Sequence, residues 1–158
     1  MDLPALEKAL VSGTTLEEVA AEMTWQKFED LCASVLEENG FSVRRRHRFS
    51  DGKRRYEIDV LATKRLVKKH GLGARRTDAG MAIDCKHWAC GKTSALLAAA
   101  KAQAERTKAL RRTKGFYGKP VTPAVVTLFQ ENAVLENGVW IIPVFKLNAF
   151  LASGMAQT

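Results

Sequence analysis

The chain has 158 residues, 46% of them hydrophobic and 27% charged, which suits one globular domain with a single sizeable core. No apolar run nears the roughly 20 residues of a membrane span, and the first residues lack the basic and apolar regions of a secretory leader. Three cysteines without framework spacing fit reduced thiols, so the expectation is a cytoplasmic protein with no membrane partner. Net charge is +8, which would suit nucleic acid, an anionic surface or an acidic partner. Arg44 to Arg76 holds 13 Lys/Arg against three acids, and the rest of the chain 12 against 14, so one stretch carries all the excess.

The first 23 residues read as two short helices, the second opened by a capping box of Thr14 or Thr15 with Glu17 or Glu18. Thr24 then caps a longer helix in which Phe28, Leu31, Cys32, Val35 and Leu36 recur at core-facing spacing. Asn39-Gly40 ends it. "FSVRRRHRF" and "RRYEIDVLAT" flank the turn signal at Asp51-Gly52 and read as a β-hairpin. The basic segment "KRLVKKHGLGARRTDAG" either extends the hairpin or forms a mobile loop before a third strand, "MAIDCKHW". "TSALLAAAKAQAERTKALRRTKG" predicts a helix capped by Thr93 or Ser94 and ended beyond Gly115. "VTPAVVTLF" and "GVWIIPV" read as strands and "KLNAFLASG" as a closing helix. From the long helix onward the order α-β-β-β-α-β-β-α implies an α/β fold: a central mixed sheet of about five strands flanked by helices.

Three motif readings fail on inspection. Gly91-Lys92-Thr93 looks like the end of a P-loop, but Lys86 stands where the first glycine must be, and Trp88 and Cys90 would obstruct a close backbone approach. "GLGARRTDAG" has Arg76 where a dinucleotide fingerprint needs its third glycine. Cys85, His87 and Cys90 lack the second pair of a zinc site. Cys32 and Cys85 are more simply small buried hydrophobes.

Strand periodicity makes more of the acids. In "MAIDCKHW" Asp84 and Lys86 share one face, with Met81, Ile83 and Cys85 on the other. In "YEIDVLA" Glu57 and Asp59 share a face opposite Tyr56, Ile58, Val60 and Ala62. Neighbouring strands lie about 4.8 Å apart, so Asp59 and Asp84 could hold one cation between them. Hard oxygen donors suit Mg²⁺ or Mn²⁺. Glu29, on the edge of its helix's apolar stripe, is the third candidate. Asp84 and Lys86 could instead form a plain ion pair, Glu29 a solvated helix acid, and Glu57 the counter-charge of a hairpin arginine.

Helix "WQKFEDLCASVLEENGF", then "YEIDVLATK", then "AIDCKHW", resembles the PD-(D/E)xK nuclease superfamily, and most nearly its Mrr-like restriction endonuclease branch, which includes Holliday-junction resolvase relatives. The resemblance runs from about Thr24 to Leu151. It implies a restriction-endonuclease-like domain over 24–158 behind an N-terminal helical extension, 1–23. It makes Glu29 the helical acid, Asp59 the "PD" aspartate with Ile58 in place of the proline, Asp84 the second acid and Lys86 the lysine. The implied activity is metal-dependent DNA hydrolysis, with Asp59, Asp84 and the Cys85 carbonyl around Mg²⁺ or Mn²⁺ and Glu29 joining directly or through water. Phosphate contacts would then fall to Arg44, Arg45, Arg46, Arg48, Lys53, Arg54, Arg55, Lys64, Arg65, Lys68, Lys69, Arg75 and Arg76. Cutting two strands would suit a homodimer. The competing reading is an inactive nucleic-acid-binding module on the same fold, and a third is an interaction protein that recognises an acidic partner.

Overall fold

A computed structural model describes residues 2–71, 73–87, 93–128 and 132–154. Asp2 opens α1 (Leu3–Val11) by accepting from the Ala5 N–H. Thr15 opens α2 (Leu16–Glu22) with a reciprocal box, its hydroxyl accepting from Glu18 N while the Glu18 carboxylate accepts from Thr15 N. Of the two pairings open to the sequence, this is the one formed. Thr24 caps α3 (Trp25–Glu38), and the stripe Phe28, Leu31, Cys32, Val35 and Leu36 is buried. A large apolar side chain so buried contributes roughly 1.5–3 kcal/mol, which makes α3 the main anchor of its face. Gly40, at φ +80, takes the chain out of the helix, a conformation other residues enter at a cost.

β1 (Ser42–Ser50) and β2 (Arg55–His70) form the expected antiparallel hairpin. Asp51 shapes its turn by accepting from the backbone N–H groups of Lys53 and Arg54, and Gly52 supplies φ +91. The basic segment resolves as the extension of strands: β2 runs on to His70 and β3 (Gly73–Lys86) returns antiparallel to it. α4 (Thr93–Leu110) follows and stops earlier than its sequence suggests. Thr113 Oγ donates to the Leu110 carbonyl, and the Arg111 guanidinium is drawn onto the Val121 carbonyl, so Arg111–Lys114 lie in turns. β4 (Val121–Thr127), β5 (Val134–Glu136), β6 (Val139–Pro143) and α5 (Val144–Ala152) complete the order.

Among the described residues the sheet has six strands in the order β1-β2-β3-β4-β6-β5, where the sequence suggests about five. The added strand is β5, three residues hairpinned onto β6 through Asn137-Gly138, both at positive φ; it is too short to display a periodicity. β3, β4 and β6 are parallel, and the other neighbours are antiparallel. One face packs Val60, Ala62, Met81, Ile83, Val126 and Ile142 against α1, α2, α3 and α5, with Leu6 and Val19 of the first two helices in the same core. The other face carries α4, over Val125 and Ile141 in one cluster and over Leu61, Ala82 and Val121 in a second. No helix among the described residues is long and apolar enough to cross a membrane.

Candidate active site

The site forms where β2 and β3 part. Their ladder runs from His70↔Gly73 to Val60↔Ile83 and goes no further. β2 continues paired only with β1, and β3 continues paired with β4. Asp59 and Asp84 are the first residues past the last rung.

A kink shared by β1 and β2 produces this opening. Arg45 pairs with Val60 and His47 with Ile58, but Arg46 and Asp59 between them form no rung, and Arg46 has φ +51. The faces change there. Val60 packs towards α3, whereas Ile58 packs with Leu61, Ala82 and Leu110 beneath α4. The strict alternation expected through "YEIDVLA", with Ile58 and Val60 on one face, therefore does not hold. A left-handed residue in one strand twists both strands of the ribbon, as a bulge does. It also aims Asp59 into the gap, where Asp59 Oδ2 accepts from the Cys85 N–H at 2.8 Å.

Asp84 is buried, 3% exposed. Its Oδ1 accepts from Lys86 Nζ at 3.1 Å and from Arg106 Nη1 at 3.2 Å. Its Oδ2 lies 3.0 Å from the same ammonium, yet off the hydrogen-bonding direction, and among the described residues this buried oxygen has no hydrogen bond. The Lys86 ammonium is thus the counter-charge of that oxygen without a directed hydrogen bond to it. Asp59 stands close enough to Asp84 for the two carboxylates to interact directly, and its pKa is pushed up to about 6. Burial is the main cause; the Cys85 N–H opposes it, and the neighbouring Asp84 and then Glu29 add to it.

Glu29 sits on the buried side of α3 and reaches the same field. Burial raises its pKa, against the pull of Arg46, whose Nε stands 3.4 Å from Glu29 Oε2. The Arg46 guanidinium also lies 4.4 Å from the Trp25 ring centroid, a cation–π contact that holds it over α3. Among the described residues no three His, Cys, Asp or Glu side chains are near enough to share a metal ion. The hard-oxygen pair is thus Asp59 with Asp84, and Arg46 holds Glu29 to one side. The Cys85 thiol is turned to the α3 face, where its contact with Cys32 and then burial keep its pKa well above the usual value. The proposed zinc partner Cys90 and the P-loop residues Gly91 and Lys92 lie outside the described residues.

The basic residues divide by role. Arg45 reaches Asp30 at 2.9 Å and Glu37 at 3.7 Å, while Glu57 accepts from Arg48 at 2.6 Å. Lys64 donates to the Asn39 carbonyl and lies over Phe41, and Arg65 pairs with Asp78. Lys53, Arg54 and Arg55 are exposed around the hairpin turn, and Arg44 and Arg76 are exposed on their strands. The side chains of Lys68, Lys69 and Arg75 lie outside the described residues.

Two contributors escape the sequence reading. Gln103 is fully buried and donates to the Ala82 carbonyl at 2.7 Å, and Arg106, one turn on, spans from Gln103 Oε1 to Asp84. The signal was available: along Leu96, Ala99, Ala100, Gln103, Thr107 and Leu110, a buried α4 stripe, Gln103 and Thr107 are the polar interruptions.

The family model Mrr_cat, described as restriction endonuclease, matches residues 20–117. An uncharacterized protein of Archaeoglobus fulgidus is 28% identical over 131 residues, covering 83% of this chain and 92% of that protein. No solved structure matches.

Proposed function

The chain belongs to the Mrr_cat restriction endonuclease family, and we propose that it is a divalent-metal-dependent endonuclease that hydrolyses phosphodiester bonds in DNA, in restriction or in repair and junction cleavage. The observation that carries the reading is the buried Asp84 Oδ2 without a hydrogen bond, beside an Asp59 whose ionisation burial and Asp84 oppose. Two hard carboxylates held side by side, each opposing the other's charge, match the donor set of Mg²⁺ or Mn²⁺. Asp59, Asp84 and the Cys85 carbonyl would hold the ion, with Glu29, which Arg46 holds to one side, joining through water. Such an ion neutralises charge on a phosphate oxygen and acidifies water.

The chain's own residues do the rest. Lys86, buried to three-quarters of its side chain, keeps an ammonium at the reacting position, where it would orient water and stabilise charge growing on the phosphate. Gln103 and Arg106 are positioning residues: they fix the end of β3 and one oxygen of Asp84. Exposed cations on the hairpin supply affinity for a DNA backbone without reading its sequence.

The test is nicking of supercoiled plasmid and cleavage of a panel of linear, branched and methylated DNAs. Cutting is expected with Mg²⁺ or Mn²⁺, and EDTA, Asp59→Ala or Lys86→Ala should abolish it. Salt-sensitive binding that ignores metal and both substitutions would support an inactive DNA-binding module instead.

A further inference from the structure

On the α4 face of the sheet, away from the acids, β1, β2, β3 and the turn after α4 enclose a cavity of about 450 Å³. Its charge is lopsided. Arg44, Arg65 and Lys119 line it together with the hydroxyl residues Ser42 and Thr63, against one acid, Asp78. That acid is already engaged, 3.5 Å from Arg65 and 3.2 Å from Lys119. Arg44 has no carboxylate partner among the described residues, while Lys64, also at the rim, turns its ammonium to the Asn39 carbonyl. Gly80 forms part of the wall, and a Cβ there would come 3.3 Å from the Ala62 carbonyl and 3.5 Å from Val121, so no side chain fills the space.

The cavity is set apart from the candidate active site by Ala82, which is buried with Leu110 of α4. Gly80 precedes Asp84 by four residues on β3, roughly 13 Å at about 3.3 Å per residue. We propose that the cavity is a phosphate subsite that grips one backbone phosphate of bound DNA, with Arg44 as its principal donor and Lys119 as its second. The inference rests on the nuclease reading for its partner and adds the place of the grip.

Salt dependence of duplex binding in EDTA, followed by fluorescence anisotropy, tests it without requiring cleavage. Each phosphate neutralised contributes about 0.9 to the slope of log K against log salt. Arg44→Gln should lower the slope by about 0.9, and Arg44→Gln with Lys119→Gln by the same amount, because both groups serve one phosphate. Lys146→Gln, which removes the same charge from α5 on the opposite face, should leave the slope unchanged. Arg44 is exposed, so its loss does not threaten folding. A slope in Arg44→Gln equal to wild type, a double variant that loses about twice 0.9, or an equal loss in Lys146→Gln would each overturn the subsite. Wild-type protein that binds duplex with these slopes but never cuts it with Mg²⁺ would sink the nuclease reading and leave the subsite standing. Absence of duplex binding would sink both.

Discussion

Asp59→Asn should stabilise the metal-free protein at pH 8 and leave its stability at pH 3 nearly unchanged. In the fold Asp59 has its pKa raised from 3.8 to about 6, so the native state prefers the protonated form. A group shifted in this direction gives its full contribution below pH 3.8 and loses it as pH rises through about 6. The shift of roughly two units corresponds to about 3 kcal/mol at most, and partial exposure of the group reduces this to on the order of 1–2 kcal/mol. Asparagine stays neutral at every pH and keeps an acceptor for the Cys85 N–H. Urea denaturation in EDTA at both pH values measures the difference. Excess Mg²⁺ should reverse the order at pH 8, since a ligand at about 100 times its Kd adds about 2.7 kcal/mol to the form that binds it, and Asp59→Asn lacks the second carboxylate. An Asp59→Asn protein less stable than wild type at pH 8 without metal, or a difference that does not change with pH, would refute the reasoning.

Other outcomes follow from the same geometry. Lys86→Met should retain duplex binding and reduce kcat by about 100-fold or more in a single-turnover cleavage assay. Gln103→Leu, which strands the Ala82 carbonyl in the core, should cost about 1–3 kcal/mol by urea denaturation and also slow cleavage by loosening Arg106. Thr15→Ala removes the capping box of α2 and should cost about 1 kcal/mol, read as a melting temperature lower by about 2–4 °C, with cleavage rate unchanged.

Much of the fold was legible because it rests on periodicities long enough to read. The α3 stripe, the Asp51-Gly52 turn and the apolar run of β4 each state their structure locally. β5 was not legible at three residues, and α4 ended early because of a contact between Arg111 and a strand ten residues ahead, which no window within a helix can reveal. In the site, Asp84 and Lys86 lie on one face as a regular strand requires. Asp59 reaches Asp84 by a different route, through a kink whose origin is the positive φ of Arg46 in the neighbouring strand. Arg46 has no glycine or asparagine to announce that conformation. The link from Gln103 and Arg106 to Asp84 was hidden for the same reason: it depends on which helix covers which strand.

The two margins of the sheet are unequal. β5 is short, but β1 offers nine residues with one edge unpaired among the described residues, the kind of template on which copies of a chain can stack. Arg44, Arg45, Arg46 and Arg48 stud that margin, and their mutual repulsion across two approaching molecules discourages such stacking. Stripping them together to probe DNA affinity would therefore also remove the protein's guard against aggregation, so neutral replacements along β1 belong in separate variants, each checked for solubility first.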